Sequence, residues 1–176
     1  MLHRNKLRIM ELFFEEPVRN FQLREISRLT KIAVTSTKKY LRELEREELI
    51  RKNTKTLYPS YAANESNRLF RTYKQQAMML KIIKSGLLEY LEQTTLPKTI
   101  ILFGSVRKGE YDKKSDIDLF VQSSKQPLNL QKFEKALKHK INILFEQNLK
   151  KISNELLNNL ANGIVLTGYL KLPERY

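Results

Sequence analysis

The sequence predicts an α+β/mixed chain in three stretches: a helical module closed by a β-hairpin over residues 1–63, a long linker helix over 64–96, and a C-terminal α/β module with a small mixed sheet over 97–176. Three observations predict it. Apolar residues in the first half recur at helical spacing, three and four apart. From Lys98 onward the rhythm changes to short β runs interleaved with helices, which is the pattern of an α/β unit. Only five Gly and five Pro interrupt 176 residues, as expected of a helix-rich chain.

Each element follows from local pattern. Leu2, Leu7, Ile9, Met10, Phe13 and Phe14 form the apolar face of a first helix over 2–15, which Pro17 ends. A second, Gln22 to Leu29, turns Leu23, Ile26 and Leu29 inward. Thr30-Lys31-Ile32 breaks the chain before a third helix from Val34 to Glu48, with Tyr40, Leu41, Leu44 and Leu49 on its inner side. The segment LIRKNTKTLYPSYA then reads as a hairpin: Leu49 to Lys52, a turn at Asn53-Thr54-Lys55, and a return from Leu57 to Tyr61. Asn64 and Ser66 offer caps for the long helix. Its stripe of Phe70, Tyr73, Ala77, Leu80, Leu87 and Leu91 repeats as a heptad seam would, which leaves a homodimer possible beside packing on the same chain. Strands follow at 99–103, 116–121, 141–145 and 164–170, with helices at 129–139 and 153–161 between them.

Composition bounds the function. With 33 Lys and Arg against 19 Asp and Glu, the net charge is +14, and a polyanion such as nucleic acid is the expected partner. The excess is spread along the chain: residues 1–63 hold 14 basic and 8 acidic side chains, and residues 97–176 hold the same numbers. Gross charge therefore selects no region. The absence of Cys excludes disulfides, thiolate zinc sites and thiol catalysis, and His3 and His139 alone leave little for a His-based site. Glu11, Glu15 and Glu16 interrupt any signal-like apolar core, and no apolar run approaches the ~20 residues of a spanning helix. The expected location is cytoplasmic, with no membrane partner.

Charge order along the third helix marks a binding face. From Lys31 to Arg42 there are four basic residues and no acid, whereas Glu43 to Glu48 holds four acids and one Arg. The helix dipole favours the opposite order by ~0.3–1 kcal/mol per terminal charge. Lys38 and Lys39 near the N-terminus make sense if phosphates or base edges lie opposite. The segment FQLREISRLTKIAVTSTKKYLRELEREELIRKNTKTLYPSYAAN resembles the winged helix–turn–helix family. The resemblance implies that Thr35, Ser36, Thr37, Lys38, Lys39 and Arg42 face double-stranded DNA, with Arg51, Lys52 and Lys55 on the wing. Glu48 stands where that family usually has a Gly before the wing.

A second constellation is GSVRKGEYDKKSDID at 104–118, a G-S-x10-D-x-D pattern. Gly104-Ser105 follows a β run and opens a short basic helical turn whose N–H groups can receive phosphate, with Arg107 and Lys108 nearby. Asp116 and Asp118, one residue apart on a strand, point to one face ~6.6 Å apart. Two carboxylates so placed can converge on divalent metal bridging NTP phosphates. Asp118 sits in the apolar run Ile117-Asp118-Leu119-Phe120-Val121, where a buried carboxylate costs several kcal/mol unless partnered.

This stretch resembles the minimal nucleotidyltransferases of the polymerase β superfamily over residues 98–170, and the whole chain resembles prokaryotic proteins that join a winged helix to that fold. The resemblance implies that Gly104 and Ser105 hold NTP phosphates and that Asp116 and Asp118 ligate Mg²⁺ (or Mn²⁺). The implied reaction transfers a nucleoside monophosphate to a hydroxyl and releases pyrophosphate. Asn142 occupies the place of that family's third carboxylate, and Glu146 lies ~13 Å farther along the strand. That departure implies weak or absent catalysis. Two alternatives remain beside the enzyme: a regulator whose transferase fold senses nucleotide or dimerises, and an antitoxin-type transferase acting on a partner protein.

Overall fold

The computed structural model describes residues 4–55 and 57–172. Leu2, expected on the first helix's apolar face, lies outside them. The chain forms two compact units, Met1–Lys74 and Gln75–Tyr176, and the division falls inside a helix.

In the first unit, α1 (Arg4–Glu15), α2 (Leu23–Thr30) and α3 (Val34–Arg46) are followed by β2 (Ile50–Asn53) and β3 (Ser60–Ala63). Ile9, Met10, Phe13 and Phe14 of α1 are fully buried, with Ile26, Leu41, Leu44 and Leu49. Two residues before α2, Phe21–Gln22, form β1, which pairs with β3 to give an antiparallel sheet of order β1-β3-β2. Such a short strand carries no periodic signal. It is held because Phe21 packs edge-on against Phe13, 5.4 Å between centroids, and because Arg19 lies over its ring. Lys31 closes α2 in the left-handed region at φ 54°, and Ser27 and Ile32 exchange two hydrogen bonds across the turn into α3. Glu48 also adopts positive φ, 56°, in the position where a Gly would be expected.

Three expectations change here. Leu29 is 48% exposed, and Thr30 takes the inward place, its hydroxyl donating to the Ile26 carbonyl. The return strand starts at Ser60, after Pro59, so Leu57 and Tyr58 lie exposed on the loop. The register Asn53↔Ser60 and Ile50↔Ala63 sets this, with Asn53 Oδ1 accepting the Lys55 N–H at the loop's entry. Asn67, not Asn64 or Ser66, caps α4 by accepting from Leu69 and Phe70 N–H.

The expected single linker helix is two helices, α4 (Arg68–Lys84) and α5 (Leu87–Thr95). Gly86 at φ 75° breaks it, and Ser85 Oγ accepts the Leu87 N–H. The buried side of α4 is Phe70, Lys74, Ala77, Met78 and Ile82, while Leu80 is half exposed. The seam expected through Leu80 is therefore not the buried stripe.

In the second unit, β4 (Thr99–Phe103), α6 (Gly104–Lys108), β5 (Ile117–Val121), α7 (Gln131–Leu137), β6 (Ile141–Phe145), a 3-10 turn (Leu149–Lys151), α8 (Asn154–Ala161) and β7 (Ile164–Gly168) follow α5. The mixed sheet has order β6-β5-β4-β7, with β5 and β6 parallel and the other pairs antiparallel. One face packs Ile101 and Phe120 against Leu149 and Leu160, with Leu156 and Leu170 at the margin. No helix among the described residues is long and apolar enough to cross a membrane.

Candidate functional site

β4 delivers the chain to Gly104, which turns at φ 72° into α6. A Cβ on Gly104 would meet the Asp118 carboxylate and force it to shift, and the left-handed backbone there favours glycine as well. Antiparallel pairing puts Phe103 opposite Asp118, and parallel pairing puts Asp118 opposite Asn142. The side chains meet as the register dictates: Asn142 Nδ2 donates to Asp118 Oδ1 at 3.1 Å. Gly104, Asp118 and Asn142 thus form one cluster at the C-terminal end of β4.

The other predicted residues surround it unevenly. Ser105 is half-buried in the first turn of α6, where the leading N–H groups have no partner within their own helix. Arg107 and Lys108 lie at the far end of that turn, and the Arg107 carbonyl accepts the Gln75 amide. Asp116, expected as the first strand residue, is exposed just before β5, which begins at Ile117. Asp112 is committed to its own loop. Its Oδ1 accepts the Lys114 N–H and the Ser115 hydroxyl, and these bonds hold its carboxyl below the usual range. Glu146 lies beyond β6 and accepts the Asn148 N–H.

Sequence reasoning missed the residues that fix the 110–116 loop. Tyr111 is fully buried and meets the His139 ring edge-on, 5.7 Å between centroids. His139 Nδ1 donates to the Ser115 carbonyl at 2.7 Å, next to Asp116 in the chain. A lone Tyr in a polar loop and a lone His after a helix carry no pattern that would mark them.

Carboxylate oxygens such as those of Asp116 and Asp118 are hard donors of the kind Mg²⁺ or Mn²⁺ takes, one or two from protein with water and substrate phosphate completing the shell. Among the described residues no three His, Cys, Asp or Glu cluster as a complete metal cage. Asn142 presents its NH₂ to Asp118, so it adds no third charge. The donors present suit a cation that arrives with a phosphate ligand.

Residues 84–164 match the family model of a nucleotidyltransferase domain. The matched stretch begins at the end of α4 and closes on the first residue of β7, so it contains Gly104, Ser105, Asp116, Asp118 and Asn142. No curated protein and no solved structure matches the chain. The matched stretch therefore includes α5, which the sequence pattern alone assigns to the linker.

In the first unit, Thr35, Lys38, Lys39 and Arg42 are exposed on α3, with Ser36 partly so. Thr37 is a correction. It is buried, and its hydroxyl donates toward the Ile32 and Ala33 carbonyls, which pins the start of α3. Arg51, Lys52 and Lys55 are exposed, with Arg51 donating to Ser66 Oγ at 2.6 Å. The acids at the other end of α3 have a structural partner: Lys6 of α1 bridges Glu43 at 2.8 Å and Glu47 at 3.0 Å.

Proposed function

We propose that the nucleotidyltransferase domain binds an NTP together with Mg²⁺ (or Mn²⁺) and transfers its nucleoside monophosphate to a hydroxyl acceptor. Gly104 and Ser105 receive the phosphates at the start of α6, and Arg107 and Lys108 add positive charge around them. Asp116 and Asp118 hold the metal, which when bound neutralises phosphate charge and polarises the reacting phosphoryl group. The acceptor oxygen bonds to the α-phosphorus, the α–β bridging P–O bond breaks, and pyrophosphate leaves with that electron pair. The acceptor proton passes to water, because Asn142 supplies no base where a third carboxylate would stand. Transfer is accordingly slow.

The observation that carries this reading is the close approach of Gly104 to the Asp118 carboxylate, which brings the start of α6 next to a charged oxygen. The test is incubation with each α-labelled NTP and Mg²⁺, followed by pyrophosphate release and label on protein or nucleic acid. Label that depends on Asp118 supports the reading, and none with any NTP opposes transfer. A specific observation favours a second reading, nucleotide sensing without transfer: the amide of Asn142 satisfies Asp118 instead of extending the charged set.

The first unit is read as a winged helix–turn–helix that binds double-stranded DNA, with the domain spanning about residues 1–63. Its support is the order of three helices and a three-stranded sheet, and the basic side chains exposed on α3 and the β2–β3 loop. Thr35, Ser36, Lys38, Lys39 and Arg42 would meet the groove, and Arg51, Lys52 and Lys55 the phosphates.

A further inference from the structure

The end of the sheet opposite Asp118 holds a basic cleft. Its volume is about 540 Å³, and Lys98, Lys150, Lys171, Tyr169, Gln122 and Gln147 line it. A second cleft of about 530 Å³ shares Lys98, Gln122 and Gln147 and adds hydroxyls from Thr94, Ser123 and Ser124. The two clefts adjoin through these shared residues, and among the described residues no carboxylate lines either of them. Glu146, the nearest acid along the chain, accepts the Asn148 N–H.

The floor is rigid. Lys98 N–H donates to the Gln122 carbonyl, Gln122 N–H to the Thr99 carbonyl, and the Gln122 amide to the Gln147 carbonyl. Tyr169, just after β7, is 75% exposed at the rim. Because Phe103 pairs with Asp118 and Gln122 follows β5, the groove lies at the other end of the strand pair, about 14 Å from Asp118.

We propose that this groove binds a short single-stranded segment of nucleic acid. Three lysines in a concave, acid-free groove match a phosphodiester chain, and the amides and hydroxyls match its oxygens and base edges. Tyr169 offers an accessible aromatic face for an unstacked base. A duplex keeps its bases stacked and would leave that face unused. The site does not depend on nucleotidyl transfer.

The test uses the full chain carrying Lys38→Ala, Lys39→Ala and Arg42→Ala, so that duplex binding by the first unit does not obscure the result. Anisotropy of fluorescein-labelled dT8 and rU8 is read across a salt series. On this background, changing Lys98, Lys150 and Lys171 to Ala should weaken binding at least about tenfold and reduce the salt slope by ~0.7 for each phosphate no longer neutralised. Tyr169→Ala should weaken it about tenfold, and Tyr169→Phe should not. Preference for rU8 or for dT8 supports the site either way and names the sugar. All substituted side chains are exposed, and circular dichroism checks the fold. Unchanged affinity in the triple lysine variant overturns the proposal. So does equal binding of an eight-base-pair duplex, or of inorganic polyphosphate with no effect of Tyr169→Ala.

Discussion

The Asn142 side-chain amide donates to Asp118 Oδ1 at 3.1 Å across the parallel β5–β6 pair. This bond gives one carboxylate oxygen a partner within the chain, and it is the feature that separates this site from one with three acids. Changing Asn142 to Asp keeps shape and replaces the bond with a like-charge pair. Without metal the variant should melt below the parent at pH 7. Mg²⁺ should bind roughly tenfold more tightly, about 1.4 kcal/mol, and raise its melting temperature more than the parent's. Calorimetric titration and thermal melts with and without Mg²⁺ check both signs. A variant with unchanged Mg²⁺ affinity would show that residue 142 lies outside the metal site.

Gly104→Ala tests the fit beneath Asp118. The added methyl meets the carboxylate and the backbone is held at φ 72°, so the cost should be about 1–3 kcal/mol of stability. NTP affinity should fall with it. Chemical denaturation gives the first quantity and equilibrium dialysis the second.

Much of this cluster is legible in the sequence, because strand alternation puts Asp118 and Asn142 on defined faces and the G-S-x10-D-x-D spacing marks the turn. The register that joins Asp118 to Asn142 is a tertiary fact, although both lie one residue inside recognisable apolar runs. Thr37 departs from expectation because the resemblance puts it on the DNA face, while local bonds to the Ile32 and Ala33 carbonyls hold it inside. β1 has two residues, too few for any period, and exists because Phe21 finds Phe13. The break at Gly86 is visible as a propensity cost, but whether a helix continues through one Gly depends on what its two halves bury.

Glu48 predicts a gain. Its left-handed backbone costs a non-glycine residue about 1 kcal/mol, and its carbonyl, which accepts the Asn64 and Asn67 amides, survives substitution. Glu48→Gly should therefore raise the unfolding free energy, by up to about 1 kcal/mol, in urea titration. A decrease would mean that the Glu48 side chain contributes more than the strain it tolerates.

The Lys6 bridge predicts a pH window. The hydrogen bond to Glu43 raises the Lys6 pKa above 10.5, and the same bond lowers that of Glu43 below 4.5. A lowered carboxyl stabilises the fold above about pH 4.5 and loses that contribution as pH falls through its folded value. A raised lysine stabilises below about pH 10.5 and loses it as pH rises through its own. Lys6→Met should lower the melting temperature at pH 7, with the difference shrinking at pH 3 and in high salt.

For DNA, replacing Lys38, Lys39 and Arg42 with Ala in the full chain should weaken duplex binding and flatten the salt slope by ~0.9 per phosphate no longer neutralised. The full chain is the right material, because Phe70 of α4 packs edge-on against Phe14 of α1 and a fragment ending at residue 63 would lack that ring. Thr37→Val should leave the salt slope unchanged. Equal binding by the triple variant across the salt range would remove α3 from the interface.

Asp118 is expected to hold a cation for a nucleotide delivered to Gly104, and the proposed nucleotidyl transfer depends on it. Calorimetric titration of NTP into the parent and into Asp118→Asn, each with and without Mg²⁺, tests this most directly. Asn keeps the shape and removes the charge. The parent should bind in a Mg²⁺-dependent way, the variant at least about tenfold more weakly, and the two proteins should differ little when Mg²⁺ is absent. Equal Mg²⁺-dependent affinity in both proteins, or no nucleotide binding by the parent, would contradict it.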